Sequence, residues 1–126
     1  TYAEVSIAEQ RIWIYKEGKL VLTTNVVTGK HVTGEDTSPG VWYILFKRTP
    51  YTLKGSAVGK ANYEVEVDYW APFTNSGQGF HDASWRTNWA SNAYVAAGSG
   101  GCVNVPANVM KSVYENLSTH EPVVVY

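Results

Sequence analysis

Short stretches of alternating apolar and polar residues, separated by turn residues, dominate this sequence and favour a mainly β fold. The residues from Tyr63 to Tyr69 alternate most regularly, because every second side chain is Tyr or Val and the residues between them are Glu or Asp. This pattern is typical of a strand with one buried and one solvated face. The solvated face also explains the three acidic residues, so we do not interpret them as a metal site or as paired catalytic carboxylates.

Further strands and one helix are predicted from the same kind of pattern. The additional strands cover residues 2–7, 11–15, 20–27, 41–47 and 123–126. Two of them flank Lys16-Glu17-Gly18-Lys19, which suits a short hairpin turn, and residues 41–47 are apolar enough for a buried strand. A helix is predicted from Pro106 to about Ser118, because proline suits a first helical turn and the apolar residues recur on one face.

The stretch from Trp70 to Gly101 fits neither the strand nor the helix period. It is too long for an ordinary connection in a compact domain, and such segments tend to be functional or disordered. Its many aromatic residues argue against disorder. We therefore expect a long ordered loop that brings His81 to Cys102, with a helical turn near residues 83–89 as an alternative for part of it.

Length and composition limit the domain organisation and the possible functions. A chain of 126 residues with 44% hydrophobic residues predicts one domain with a real core. A net charge of −1 argues against binding to duplex nucleic acid, and no apolar run approaches the length of a membrane span. Because the sequence starts with a strand pattern and not with a leader, we expect a fragment of a longer exported protein, with a targeting segment upstream of Thr1.

No cofactor or metal site is predicted. The three histidines show no metal-ligand spacing. Residues 55–61 contain two glycines and a lysine, but they lack the spacing and the hydroxyl residue of a phosphate-binding loop. One cysteine also excludes a disulfide within the chain.

The single cysteine, Cys102, follows two glycines in Ser99-Gly100-Gly101-Cys102-Val103-Asn104. A free cysteine in a soluble domain is usually a small buried residue with no chemical role. Here the glycines leave space around the thiol and allow main-chain N–H groups to converge, and a helix start downstream would favour the thiolate. These residues alone leave two interpretations open: an inert cysteine, or the nucleophile of covalent catalysis.

The pair His81-Asp82, followed by Ser99-x-Gly101-Cys102-Val103-Asn104, resembles the signature of the L,D-transpeptidase catalytic domain, also called the YkuD domain. The resemblance covers nearly the whole chain, through residues 3–7, 27–29, 37–42 and 121–126, and is strongest to enterococcal members. It implies a single catalytic domain over residues 1–126. The implied fold is mainly β and sandwich- or barrel-like, with one main helix and a long ordered loop that carries the catalytic histidine.

The resemblance also implies a function. Members of this family cross-link peptidoglycan, so the chain is expected to form 3→3 cross-links through a cysteine acyl-enzyme. The donor would be a tetrapeptide stem that releases D-Ala, the acceptor would be the side-chain amine of another stem, and carbapenem β-lactams would acylate the same cysteine. The expected location is the outer face of the cell envelope, with membrane attachment through a segment upstream of this sequence.

Catalytic roles follow from the motif by resemblance. Cys102 would be the nucleophile, and His81 the general base, since the other two histidines lie outside the motif. Asp82 would orient His81 through either its carboxylate or its backbone carbonyl. Backbone N–H groups of Gly100, Gly101 and Cys102 would form the oxyanion hole.

One position departs from the family pattern, and the substrate-binding residues are less clearly indicated. Many family members have a second histidine where this sequence has Gly100, so any role of that imidazole is absent here. Position and polarity suggest four substrate-binding residues, namely Ser99, Asn104, Trp85 and Tyr63. Two other functions stay open: an L,D-carboxypeptidase that hydrolyses the same bond, and a non-catalytic cell-wall binding module in which the cysteine is inert.

Overall fold

The computed structural model describes residues 1–56 and 62–126, with side chains described for 1–54 and 64–126. The described strands are β1 Tyr2–Ser6, β2 Arg11–Lys16, β3 Lys19–Asn25, β4 Gly40–Tyr43, β5 Tyr51–Ser56, β6 Asn62–Val67, β7 Trp70–Pro72, β8 Gly79–Asp82, β9 Val103–Val105 and β10 Pro122–Val125. The helices are α1 Ala93–Ala97 and α2 Ala107–Asn116, with a 3-10 turn at His31–Thr33. The predicted mainly β fold is therefore confirmed. Residues 57–61 of the segment that we rejected as a phosphate loop lie outside the described residues.

The largest sheet has five strands in the order β3-β2-β1-β10-β4. Strand β10 is parallel to β1, with Ala3 opposite Val123, and antiparallel to β4. The two-residue turn between β2 and β3 places Glu17 and Gly18 at φ angles of 51° and 76°. A hairpin turn with two positive φ angles matches the twist of the flanking strands, so the predicted hairpin is confirmed.

The prediction of a buried strand over residues 41–47 is wrong in both length and burial. Strand β4 ends at Tyr43 and forms one edge of the sheet. The side chains of Val41 and Tyr43 are 58% and 51% exposed. An apolar run is equally compatible with a central strand and with an edge strand that turns one apolar face outward, and the sequence alone does not separate them.

The hairpin of β5 and β6 agrees with the alternation in the sequence. Glu64 and Glu66 are exposed, whereas Val67 is buried against Leu53 and Trp70. Tyr63 lies in β6, and its side chain is outside the described residues. This hairpin forms one side of the cleft described below.

The prediction that a long loop carries His81 is also wrong, because His81 lies in β8. Strands β7, β8 and β9 form a three-stranded sheet in which β8 is central. All the residues of these strands are buried. A strand covered on both faces shows no polar–apolar alternation, which explains the lack of a period-two signal there. The helical turn considered near residues 83–89 is a single hydrogen-bonded turn, in which the Arg86 N–H donates to the Ala83 carbonyl oxygen at 3.1 Å. Helix α1 begins later, at Ala93.

Helix α2 confirms the predicted helix, with Pro106 immediately before its first residue and its end two residues earlier than expected. Its buried residues Met110 and Val113 pack in one hydrophobic core with Phe80 of β8 and Val103 of β9. The shared core holds the small sheet against the large one. Among the described residues, neither α-helix has the length and apolar character that crossing a membrane requires.

Candidate active site

Parallel pairing of β8 with β9 brings together the two motifs that are far apart in the sequence. His81 lies opposite Asn104 in the register, and Cys102 immediately precedes β9. All three residues line one open cleft of about 940 Å³. The cleft is bounded by the β5–β6 hairpin, the turn between β7 and β8, the side chains of Trp85 and Arg86, and the loop of residues 98–102.

The Cys102 thiol is protonated at neutral pH. Its Sγ donates toward the carbonyl oxygen of Gly77 at 3.6 Å. Burial raises the pKa of the thiol to about 11, although a hydrogen bond from the Gly79 N–H acts in the opposite direction. Burial removes water that would stabilise the thiolate. A preformed thiolate is therefore disfavoured in this state.

The His81 imidazole is buried, with 5% of the residue exposed. It stacks on Trp85 with ring centroids 5.9 Å apart and contacts Trp70 at a tilt with centroids 6.0 Å apart. Burial lowers the pKa of His81, and the nearby Arg86 charge acts in the same direction, while Asp82 opposes both. The ring is therefore neutral at neutral pH and able to accept a proton.

The hydrogen bonds around Asn104 determine which ring nitrogen of His81 accepts that proton. Arginine has only donors, so the Asn104 amide must present its oxygen to Arg86, with Oδ1 lying 3.2 Å from Nε and 3.1 Å from Nη2. The amide nitrogen then donates to Nε2 of His81 at 3.2 Å. Since Nε2 accepts this bond, the ring proton is on Nδ1, which donates to the backbone oxygen of Asp82 at 2.8 Å.

Asp82 therefore orients His81 through its backbone carbonyl and not through its carboxylate. The carboxylate points to the other side of β8, where its oxygens accept hydrogen bonds from the N–H groups of Asp68 at 3.0 Å and Tyr69 at 2.8 Å. Adjacent residues in a strand face opposite ways, which accounts for the separation of these two roles. The carboxylate ties the chain between β6 and β7 to β8.

The loop before Cys102 is held by two hydroxyl groups. Thr37 Oγ1 donates to the carbonyl oxygen of Gly101 at 2.7 Å and accepts a bond from the N–H of Gly29 at 3.1 Å. Ser99 Oγ donates to the carbonyl oxygen of Cys102 and accepts a bond from the Gly101 N–H at 3.2 Å. The Gly101 N–H is thus directed to Ser99, whereas no side chain in the described part of the chain accepts a bond from the N–H of Gly100 or Cys102.

The remaining predicted residues occupy different positions around the cleft. Trp85 is 53% exposed and covers the His81 ring from the solvent side of the cleft. Asn104, in contrast, is buried and contacts His81 directly. At the position of the missing family histidine, a Cβ on Gly100 would contact only Glu35 Oε2, at 3.6 Å.

Several residues that contact the site were not predicted, including Thr37, Gly77, Gly79 and Arg86. Of these four, only Arg86 leaves a signal in the sequence, because it is the one Lys or Arg between positions 61 and 110. Thr37 and Gly79 act through hydrogen bonds with main-chain or sulfur atoms that are distant in sequence, and no local pattern marks them. Within the described residues, no group of three or more His, Cys, Asp or Glu side chains is arranged to hold a metal ion.

A thiol and a neutral imidazole on one cleft are the groups that a cysteine-dependent acyl-transfer enzyme uses. The model of the YkuD family, the L,D-transpeptidase catalytic domain, matches residues 1–125. The chain therefore belongs to the L,D-transpeptidase family, as the resemblance in the sequence indicated.

Solved structures of Enterococcus faecium L,D-transpeptidase are similar over the whole chain. The crystal structure of a Cys-to-Ser mutant is 37% identical with a TM-score of 0.92, covering 100% of this chain and 49% of that one. The NMR structure of the catalytic domain acylated by ertapenem is 38% identical with a TM-score of 0.86, covering 99% and 95%. YciB of Bacillus subtilis (strain 168) is 24% identical over 131 residues, and the chain spans 64% of its length.

Proposed function

We propose that the protein is a peptidoglycan L,D-transpeptidase that forms 3→3 cross-links through an acyl-enzyme on Cys102. The observation that carries this proposal is that Cys102 and His81 line the same cleft, and that Nε2 of His81 is the ring nitrogen able to accept a proton. The ertapenem-acylated E. faecium domain supports acylation of this chain by carbapenems at the same thiol. We place its action at the cell wall, as one catalytic domain of a longer, membrane-attached protein.

The first step is attack of Cys102 Sγ on the peptide carbonyl that precedes the terminal D-Ala of a tetrapeptide donor. Because the pKa of the thiol is raised to about 11 and that of His81 is lowered, proton transfer to His81 Nε2 accompanies the attack and does not precede it. The carbonyl of Asp82 stabilises the imidazolium through Nδ1. The N–H groups of Gly100 and Cys102 are the donors proposed for the oxyanion.

The second step breaks the C–N bond and completes the transfer. His81 returns its proton to the departing nitrogen, so that D-Ala leaves as a free amino acid and a thioester remains on Cys102. The side-chain amine of an acceptor stem then attacks the thioester and gives a proton to His81. Cleavage of the C–S bond regenerates the thiol, which takes back that proton, and the new amide is the cross-link.

Intact-mass spectrometry after mixing with ertapenem tests the acylation step. We expect one adduct per chain, no adduct in Cys102→Ala, and formation at least about a hundredfold slower in His81→Ala, as for loss of a general base. His31→Ala is the matched control, because this histidine is exposed and pairs with Asp36 on the surface. Unaltered acylation in His81→Ala would contradict the assigned base.

A tetrapeptide donor, with and without an acceptor stem, distinguishes the three candidate functions. A cross-linked dimer together with released D-Ala supports the transpeptidase. Release of D-Ala and tripeptide alone, even with acceptor present, would instead indicate the L,D-carboxypeptidase. Binding without any acyl-enzyme or D-Ala release would indicate the cell-wall binding module.

A further inference from the structure

Two basic side chains of the described residues line the cleft, and their surroundings differ. Lys54 is 72% exposed at its side chain and lies 3.4 Å from Glu64 Oε1, so its charge has a carboxylate partner. Arg86 is only partly exposed and lies near the catalytic imidazole. No acidic residue lines the cleft within the described part of the chain.

The Arg86 guanidinium is held in place by neutral oxygens only. Its Nη1 donates to the carbonyl oxygen of Ala97 at 2.8 Å, and its Nε and Nη2 face Asn104 Oδ1. Burial lowers the pKa of Arg86, and no carboxylate offsets this effect. Because each terminal nitrogen of a guanidinium carries two hydrogens, Nη1 and Nη2 each retain one donor for a further partner.

We infer that Arg86 binds the terminal α-carboxylate of the residue that the enzyme releases from the donor. This inference rests on the proposed function, since it assigns a residue to the leaving group of that reaction. A fixed guanidinium without a carboxylate partner is the group that best recognises a carboxylate in a partly buried site.

The position of Arg86 relative to His81 supports this assignment. His81 Nε2 gives its proton to the departing nitrogen, so the leaving amino acid must lie beside the imidazole. In an α-amino acid, one carbon atom separates that nitrogen from the carboxylate. In the structure, a single amide group, that of Asn104, separates His81 Nε2 from Arg86. His81 can therefore protonate the amine of the leaving residue while Arg86 binds its carboxylate.

Two donors that give the same acyl-enzyme test the inference. One is the tetrapeptide ending in D-Ala, and the other is the same peptide ending in D-Ala carboxamide, which lacks the negative charge. The thioester is identical in both cases, so its reaction with acceptor is an internal control. We expect the wild-type protein to form the acyl-enzyme about 10- to 100-fold faster from the acid, as for loss of a hydrogen-bonded charge.

Substitution of Arg86 should remove this preference. In Arg86→Gln we expect the acid and amide rates to lie within about threefold of each other, mainly because the acid rate falls by the same 10- to 100-fold. A purely structural role, through Asn104 or Ala97, would slow both donors equally and preserve their ratio. Lys54→Gln is the matched control, since it removes the other cleft cation and should leave the ratio unchanged.

The outcomes separate this inference from the proposed function. Acylation of the wild type by both donors at equal rates, or an unchanged ratio in Arg86→Gln, would overturn the role of Arg86 while the transpeptidase stands. No acyl-enzyme from either donor in the wild type would overturn the proposed function itself. If Arg86→Gln does not fold, Arg86→Met decides, because its unbranched side chain carries no charge, so an undiminished ratio there also overturns the inference.

Discussion

The side-chain nitrogen of Asn104 donates to Nε2 of His81 at 3.2 Å, the nitrogen that we propose as the acceptor of the Cys102 proton. The proposed base is therefore neutral and already has a hydrogen-bond partner. The thiol has its own partner, the carbonyl of Gly77. In the proposed mechanism, the thiol proton must replace the Asn104 N–H at Nε2.

Substitution of Asn104 should raise the pKa of His81. The Asn104 N–H stabilises only the unprotonated ring, so Asn104→Ala removes a contact that favours the neutral form. Asn104→Asp should raise the pKa further, because a carboxylate then faces the imidazolium. Titration of the His81 ring by NMR measures both effects, and the expected order is Asp above Ala above wild type. An unchanged or lower pKa in both variants would contradict the assigned hydrogen bond.

The pH dependence of carbapenem acylation should show one inflection below neutrality and then a plateau. Burial lowers the pKa of His81 from 6.5, so the rate rises as the pH passes through that lowered value and the base loses its proton. The plateau extends to alkaline pH because the thiol pKa is about 11. In His81→Ala, the inflection should vanish and the rate should rise steadily toward pH 11. A low-pH inflection that persists in this variant would instead assign it to another group.

Asp82→Ala should reduce the stability of the fold much more than the rate of acylation. The variant leaves the N–H groups of Asp68 and Tyr69 without their carboxylate partner, which should cost about 3 kcal/mol of unfolding free energy. The backbone oxygen that holds His81 remains, so the acylation rate of the folded protein should fall less than about tenfold. Denaturant unfolding and adduct kinetics measure the two effects. Asp36→Ala, which removes a surface partner of His31, is the control.

Two glycines of the site should respond oppositely to alanine. A Cβ on Gly79 would lie 2.4 Å from the Cα of Pro72 in the neighbouring strand, so Gly79→Ala should prevent correct pairing of β7 with β8. A Cβ on Gly100 would meet only Glu35 Oε2, at 3.6 Å. We therefore expect the melting temperature of Gly100→Ala to lie within a few degrees of the wild type. This corresponds to a change of about 0.5 kcal/mol in unfolding free energy. Thermal unfolding of both variants checks this contrast, and equal stability would contradict it.

Local sequence patterns predicted the parts of the fold that have one solvated face. The hairpin around Gly18, strand β6 and helix α2 all alternate or repeat in the way that one-sided burial requires. Strand β8 is covered on both faces and shows no alternation. The sequence pattern therefore predicted a loop at His81, although this residue lies in a strand. The pattern also could not distinguish the exposed edge strand β4 from a central one.

The site residues that belong to the family motif could be predicted from the sequence. Contacts between residues that are distant in the sequence could not. The family signature led to Cys102, His81 and Asn104 as one group, and the structure brings all three to one cleft. It could not decide between the carboxylate and the carbonyl of Asp82, since that depends on which face of β8 each atom occupies. Arg86 was missed because its partners, Ala97 and Asn104, are more than ten residues away.

Strand β10 lies between β1 and β4 although it is the last strand of the sequence shown. The large sheet therefore cannot join β4 to β1 until residues 122–125 have inserted between them. Pairing between elements so distant along the chain closes slowly. Until it occurs, β1 and β4 each present an unpaired strand edge, which is a template for aggregation. Protection of the unfolded chain from aggregation would therefore matter most before this four-residue strand has been inserted.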